Sequence, residues 1–331
     1  MEPPPSYELC VGMIQGPEKY APWRCWACSV CTVSSVCMHP TQKSLYVAER
    51  SANAVAGYSI DATTGQLTSL AGSPYTAGTQ PWDCEVHPNG NFLYVANFGG
   101  GSNLSLYSID PTTGVPTGVG TLATGGNTSQ SLAFSSDGGF LFASHTTTTT
   151  VTVNSVNPST GALSAVGGSP FAAGNFMRQL ALTPSQNFLY VPSRNDSNYR
   201  IYSVASGMLT ETGASPFGVT GQAMAAAVSP DGSFLYTGQQ TANTITGYSL
   251  NASNGNPTAL VLAPTSVSFP QTLFFEPGGK FLFSLSSSAA SNLNVFTWNT
   301  STGELTNAAA SPHGFGDSPY QAAFLTETVA Q

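Results

Sequence analysis

The chain has 331 residues, of which 41% are hydrophobic and only 7% charged, against about 25% charged in an average protein. Eight Lys and Arg against 16 Asp and Glu give a formal charge of -8, so we expect no basic surface for nucleic acid. No apolar run approaches the roughly 18 residues of a membrane span. We therefore expect a globular protein whose surface is rich in Gly, Ser, Thr and Asn.

The first segment, "MEPPPSYELCVGM", lacks the basic region and apolar stretch of a signal peptide. A surface rich in Ser, Thr and Asn with little charge is nevertheless commoner in secreted and cell-surface proteins. The composition therefore favours an extracytoplasmic location.

A cysteine-rich segment follows, in which Cys25, Cys28, Cys31 and Cys37 have C-x2-C-x2-C-x5-C spacing. This spacing is similar to that of iron-sulfur ligands, but the segment merges into an apolar β pattern. Core thiols or disulfides are therefore favoured over a metal site, and we predict no metal and no cofactor. With Cys10 and Cys84 there are six cysteines, whose pairing the sequence alone does not give.

Six aromatic runs then recur along the chain at offsets of 48, 48, 48, 46 and 47 residues. They are "KSLYVAE" (43–49), "NFLYVAN" (91–97), "GFLFASH" (139–145), "NFLYVPS" (187–193), "SFLYTGQ" (233–239) and "KFLFSLS" (280–286). A turn such as "SPDG" precedes most runs, and an alternating segment, a "TTG"-type turn and a "GSPY"-type strand end follow. Each repeat therefore predicts four short strands, a to d, in an antiparallel meander.

A four-stranded repeat of about 40 to 50 residues is typical of a β-propeller blade. We predict one all-β propeller domain over residues 1–331, with residues 1–31 contributing to a closing blade. The tail "SPYQAAFLTETVAQ" supplies an additional inner a strand, and residues 7–14 and 19–27 fall at c and d positions. Seven blades, closed by pairing of the chain ends, are favoured. Six blades are the alternative, because the closing blade lacks a b strand.

The motifs "FLYVAN", "YSIDPTTG" and "GSP", over residues 33–331, resemble those of YVTN-repeat and lactonase-type seven-bladed propellers. That group includes 6-phosphogluconolactonase-like proteins and has a WD40-like repeat architecture. The resemblance implies the propeller fold and makes lactone hydrolysis one possible activity. Lactonase-type enzymes also carry "HPH"-like and "DLG"-like segments, which this sequence lacks.

The candidate site is the channel mouth at which the inner strands begin. Its charged members are Asp83, a candidate base for water, and Arg178, a candidate for holding an anionic or carbonyl oxygen. His145 and His313 are further candidate bases, whereas His39 and His87 are expected to be turn residues. The candidate ligand-binding residues are Trp82, Gln130, Gln179, Gln271, Tyr320, Gln321 and, on a loop, Arg194. Each of these side chains could instead pair with a neighbour or face channel water.

Two functions are compatible with this mouth. The first is a binding scaffold for a saccharide, a peptide or a protein, which predicts no base with a shifted pKa in the channel. The alternative is a hydrolase that opens a sugar lactone, which requires such a base near Arg178. We place the scaffold first and expect a monomer in either case.

Overall fold

The computed structural model of the chain describes residues 7–15, 19–20, 24–28, 33–100, 103–276, 278–286, 293–308, 311–312 and 324–326. These residues form strands and turns, and the predicted all-β architecture is confirmed. Nowhere in these segments is there a helix long and apolar enough to cross a bilayer.

Thirty-two strands make up the described fold, and each inner strand begins a new blade. Three strands come first: β1 (Tyr7–Gln15), β2 (Lys19–Tyr20) and β3 (Arg24–Cys28). Blade 1 contains β4 (Val33–Met38), β5 (Ser44–Glu49), β6 (Ala54–Ile60), β7 (Leu67–Ser69) and β8 (Tyr75–Thr76). Blade 2 contains β9 (Pro81–Val86), β10 (Phe92–Asn97), β11 (Asn103–Ile109) and β12 (Pro116–Ala123). Blade 3 contains β13 (Ser129–Phe134), β14 (Phe140–His145), β15 (Thr150–Val156), β16 (Leu163–Ala165) and β17 (Phe171–Ala172).

The second half of the chain continues the same order of strands. Blade 4 contains β18 (Ala181–Leu182), β19 (Phe188–Ser193), β20 (Asn198–Ala205), β21 (Met208–Glu211) and β22 (Phe217–Gly218). Blade 5 contains β23 (Ala223–Val228), β24 (Phe234–Gln239), β25 (Thr244–Leu250), β26 (Pro257–Ala259) and β27 (Thr265–Ser266). Blade 6 contains β28 (Pro270–Phe275), β29 (Phe281–Ser286), β30 (Leu293–Trp298) and β31 (Leu305–Asn307), and the last strand is β32 (Phe324–Thr326).

The two ends of the chain pair in one further sheet, which we call the terminal sheet. Strand β1 pairs antiparallel with β2 and β3, and parallel with β32 through Gly12 opposite Phe324. In a meander, strands a and c run parallel because b lies between them. Here the a-like β32 pairs directly with the c-like β1, which explains their parallel direction. The predicted pairing of the chain ends is confirmed, and the described strands include no b strand in this sheet.

The "GSP" motif marks a break in the outer strand of a blade. In blade 1, β7 and β8 both pair with β6, and the cis Ser73-Pro74 bond lies between them. Ser73 Oγ accepts a hydrogen bond from the Gly57 amide at 3.0 Å, so the hydroxyl replaces a strand carbonyl at the gap. The same bond recurs at Ser169, Ser215 and Ser311.

Apolar clusters between consecutive blades form the core. Tyr46 and Val55 of blade 1 pack with Leu93 and Val95 of blade 2, and similar clusters join the following blades up to blade 6. The remaining faces of blades 1 and 6 also form buried clusters.

Aromatic side chains of the second strands also form hydrogen bonds between blades. Tyr46 Oη donates to the Gly114 carbonyl at 2.7 Å and Tyr94 Oη to the Gly161 carbonyl at 2.6 Å. Each acceptor lies in the outer turn of the following blade. Tyr190 and Tyr236 make the same bonds to the carbonyls of Gly255 and Gly303, and Phe142 and Phe283 occupy the position in blades 3 and 6.

We predict that Tyr94→Phe lowers the free energy of unfolding by about 1 kcal/mol, because the Gly161 carbonyl loses its donor. The ring itself should fit, since blades 3 and 6 already carry Phe at this position. Urea denaturation with an unchanged m-value would measure the loss. Tyr75→Phe is the control, because the Tyr75 hydroxyl bonds the Ala71 carbonyl at an exposed position. Equal losses in both variants would contradict a specific contribution between blades.

Candidate functional site

The opening residues of the inner strands surround one cavity of about 60 Å³ at the channel mouth. The cavity opens to solvent, so a ligand larger than this enclosed space would extend outward from the mouth. Residues from blades 1, 2, 3, 4 and 6 line it: Ser34, Trp82, Asp83, Gln130, Ser131, Arg178, Gln179, Gln271 and Thr272. Six predicted site residues are thus brought together around a single cavity.

The third residue of the inner strands β4, β9 and β13 connects its blade to the next one. Ser35 Oγ accepts from the Cys84 amide at 3.2 Å, and Ser131 Oγ accepts from the Leu180 amide at 3.3 Å. These acceptors satisfy backbone amides that lie at the inner edge of the following blade. The mouth is therefore held by side-chain bonds between inner strands as well as by apolar packing.

Asp83 occupies this connecting position in blade 2 and is 5% exposed. Its Oδ1 accepts from Ser35 Oγ at 2.8 Å, and its Oδ2 accepts from the Leu132 amide at 2.8 Å. A third bond comes from the Cys84 amide at 2.9 Å. Since a carboxylate has about four acceptor positions, these three donors leave limited capacity for a substrate water. The described bonds make Asp83 a link among blades 1, 2 and 3.

Gln179 bridges blade 4 to blade 6. Its Oε1 accepts from the Leu273 amide at 3.1 Å, and its Nε2 donates to the Leu273 carbonyl at 2.8 Å. In blade 5, the equivalent position is Ala225, whose methyl group has no polar atom. The longer amide side chain spans this blade and pairs with Leu273 as a neighbouring strand would.

Glu85 is an acidic residue that the sequence analysis did not select. It lies two residues after Asp83 on β9, and so on the same face of that strand. Burial, together with the nearby charge of Asp83, raises the pKa of Glu85 to about 8. The equivalent residues of the next three blades are Ala133, Ala181 and Ala227. The sequence did carry a signal for Glu85, because its carboxyl group interrupts the apolar inner-strand segment "CEVHP".

Three arginines and two aromatic rings form a continuous row across the mouth, which we call the arginine–aromatic row. The Arg178 guanidinium lies 4.7 Å from the ring centroid of Phe176 and 5.7 Å from that of Trp82. Arg50 covers Trp82 at 4.6 Å, and Arg194 covers Phe176 at 5.6 Å. Cation–π contacts of this kind hold guanidinium groups in place. The row contains three of the eight basic residues of a chain with a net charge of -8.

Gln130 fixes one side of Arg178. With its amide oriented to satisfy both of its polar atoms, Gln130 accepts from Arg178 Nη1 at 2.8 Å and donates to the Met177 carbonyl. Gln130 itself is 3% exposed. The guanidinium is therefore positioned by two rings and one buried amide.

These features can be compared with known proteins. Residues 31–123, 123–225 and 210–316 match the family model described as Lactonase, 7-bladed beta-propeller. The chain belongs to this lactonase family. A comparison with curated protein sequences finds no match.

Solved structures similar to this lactonase-family propeller include bacterial lactonases. A candidate 6-phosphogluconolactonase from Bacteroides uniformis ATCC 8492 has a TM-score of 0.75 at 20% identity, over 89% of this chain and 90% of its own. A second candidate, from Bacteroides fragilis NCTC 9343, has a TM-score of 0.74 at 19% identity, over 90% and 89%. The periplasmic gluconolactonase PpgL of Pseudomonas aeruginosa has a TM-score of 0.73 at 19% identity, over 95% and 98%. At these identities the likeness shows a common fold.

The family is described as seven-bladed, and this number can be compared with the sheets of the structure. The described strands form six regular blades and the terminal sheet. The family description agrees with the seven blades that the sequence favours, whereas the regular blades of the structure number six, the alternative.

The other predicted site residues have different surroundings. His145 is fully buried in blade 3, where its Nε2 contacts Thr152 Oγ1 at 2.8 Å and its Nδ1 contacts Ser129 Oγ at 3.3 Å. Burial lowers the pKa of His145 to about 4, so the ring is neutral at neutral pH, and it does not line the cavity. Arg194 donates from Nε to Gln240 Oε1 at 3.3 Å. His313, Tyr320 and Gln321 lie outside the described residues.

Two further histidines and one cysteine pair of the described residues connect blades. His39 Nε2 contacts the Gly90 carbonyl at 3.0 Å, and His87 Nε2 contacts the Gly138 carbonyl at 3.0 Å, in the turns between first and second strands. Cys37 and Cys84 form a disulfide between β4 and β9, with their Cα atoms 5.7 Å apart. No three His, Cys, Asp or Glu side chains of the described segments are grouped so as to hold a metal ion.

We predict that Glu85→Ala flattens the pH dependence of stability. Folding raises the pKa of Glu85 from 4.5 to about 8. The free energy of unfolding is therefore highest below about pH 4.5, where the carboxyl group is protonated in both states. It falls as the pH rises through about 8, because the folded protein must then hold a buried charge. The full effect is about 5 kcal/mol at most. Urea denaturation between about pH 5 and pH 9 should show a decline in the wild type that the variant lacks.

Glu211→Ala is the matched control, since Glu211 pairs with Arg200 on the outer strands of blade 4. This variant should keep the wild-type pH dependence. Parallel curves for Glu85→Ala and the wild type would contradict the raised pKa.

Proposed function

We propose that this protein is a hydrolase that opens a sugar lactone at the channel mouth. The observation that carries the proposal is the position of Arg178, which lines the cavity while two rings and Gln130 hold its guanidinium. Family membership and the lactonase names of similar structures support the hydrolase better than the binding scaffold that the sequence analysis placed first. The raised pKa of Glu85 on an inner strand also favours the hydrolase.

Arg178 would act on the charge that develops at the lactone carbonyl. When water attacks the carbonyl carbon, the carbonyl oxygen becomes an oxyanion, which a fixed guanidinium stabilises by charge and hydrogen bonds. The ring C–O bond then breaks, and the ring oxygen leaves as a hydroxyl with the proton that the base removed from the attacking water. The product is an open-chain hydroxy acid.

The rest of the mouth suits a polyhydroxylated, anionic ring. Gln271 brings an amide and Trp82 an aromatic ring to the lining of the cavity, and ligand sites for sugars combine groups of both kinds. Arg50 and Arg194 flank Arg178 along the arginine–aromatic row. A lactone that carries a phosphate or carboxylate group would add a second charge for these arginines.

Proton transfer from the attacking water requires a base. Of the proposed bases, Asp83 lines the cavity, whereas His145 is buried within blade 3. We retain Asp83 as the candidate acceptor, although three donors already bond its carboxylate. Glu85 carries a proton at neutral pH because of its raised pKa.

We predict that Arg178→Ala lowers kcat/KM for lactone opening about 100- to 1000-fold, because one oxyanion donor is lost. Glucono-δ-lactone and 6-phosphogluconolactone are the substrates to assay. Arg200→Ala is the matched control, since the Arg200 guanidinium pairs with Glu211 at 2.7 Å on outer strands. Full activity of Arg178→Ala would rule out the proposed site. Binding of 6-phosphogluconate by a wild type that turns over neither lactone would favour the scaffold.

A second prediction concerns Asp83→Ser, which installs the residue that blades 1 and 3 already use at this position, Ser35 and Ser131. The hydroxyl can still accept a hydrogen bond from the Leu132 amide, so folding should survive with a modest loss of stability. If the carboxylate is the base, kcat should fall about 100-fold or more. A folded variant with unchanged kcat would leave Asp83 a purely structural role.

A further inference from the structure

Two cysteines occupy directly opposite register positions in the terminal sheet. In the antiparallel register of β1 and β3, Cys10 lies opposite Cys25, between the pairs Leu9 with Trp26 and Val11 with Arg24. Directly opposite residues in such a ladder share one face of the sheet. The register alone therefore brings these two residues of a cysteine-rich segment together.

The spacing of an antiparallel ladder suits a disulfide at this position. Opposite Cα atoms lie about 4.5 Å or 5.5 Å apart, depending on whether the pair is hydrogen-bonded. Disulfides span Cα separations of about 4.4 to 6.8 Å. Both kinds of ladder position fall within that range.

The same geometry argues against Cys28 as the partner. Cys28 lies three residues beyond Cys25 on β3 and opposite Tyr7. Three residues along a strand span about 10 Å, which exceeds the roughly 7 Å limit for a bridge. This distance excludes a Cys25 to Cys28 bond within the strand, and the diagonal from Cys10 to Cys28 is longer still. Cys37 and Cys84 are already joined to each other.

We propose that Cys10 and Cys25 form a disulfide that fastens the terminal hairpin. The two thiols lose two protons and two electrons as the S–S bond forms, and a disulfide-bearing oxidant accepts the electrons and becomes a dithiol. The Cys37–Cys84 bond of the same chain requires the same chemistry. Because β1 also pairs with β32, the bond would hold in place the strand that receives the C-terminal segment, and ring closure would depend on the redox state.

Peptide mapping without reduction tests this pairing. After free thiols are alkylated, cleavage at Lys19 and Arg24 separates Cys10 from Cys25, and cleavage at Trp26 separates Cys25 from Cys28. We expect mass spectrometry to find the peptide containing Cys10 linked to the Cys25-Trp26 fragment, and released by a reductant. The Cys37–Cys84 linkage is the internal positive control. Alkylated Cys10, or Cys10 linked to any other cysteine, would overturn the proposal.

Serine variants give an independent test in the intact protein. Cys10→Ser and Cys25→Ser should each lower the melting temperature, and the double variant should be no less stable than the less stable single variant, since all three lose one bond. Cys28→Ser is the matched control and should leave the Cys10 linkage intact. Additive losses in the double variant would contradict a shared bond.

Discussion

Consecutive blades of this propeller bury their apolar faces against each other, and this mutual burial is the constraint on which the rest of the structure depends. Clusters such as that of Tyr46, Val55, Leu93 and Val95 contain residues of two blades. A blade taken alone would expose both faces, at a cost of roughly 25 cal/mol for each Å² of apolar surface. The ring must therefore close, and the parallel pairing of β1 with β32 brings the chain ends together.

Polar bonds between blades follow from the same packing. The tyrosine hydroxyls reach the carbonyls of outer turns, and Ser35, Asp83 and Ser131 accept from amides of the next inner strand. These side chains lie where consecutive blades approach most closely. Most polar groups that the repeat places at the mouth therefore already bond to a neighbouring blade. A ligand site has to be built from residues that depart from the repeat.

Departures from the repeat coincide with the cavity. The residue directly before Ser35 and its equivalents is Ser34 in blade 1 but Trp82 in blade 2 and Arg178 in blade 4. Cation–π contacts then join these residues into the arginine–aromatic row. A repeated scaffold gains an asymmetric, positively charged mouth through such substitutions, without a change in its strands.

The sequence predicted the blades and six residues that line the mouth because both depend only on the repeat period. It did not predict the bonds of Asp83, since two of its donors are backbone amides, which every sequence carries. His145 was expected at the mouth because it ends a strand, but its side chain turns into the blade. The Cys37–Cys84 disulfide was predictable in principle from the sequence. Its separation of 47 residues nearly equals the repeat length, which places the two cysteines at equivalent positions on adjacent inner strands.

The central claim is that the asymmetric mouth, and not the outer rim or the opposite end of the channel, binds a sugar acid or its lactone. A crystal structure of the protein soaked with 6-phosphogluconate tests it most directly. We expect density for the ligand in the cavity lined by Trp82, Arg178 and Gln271, within hydrogen-bond distance of the Arg178 guanidinium. Ordered density at another place with this cavity unchanged would contradict the account.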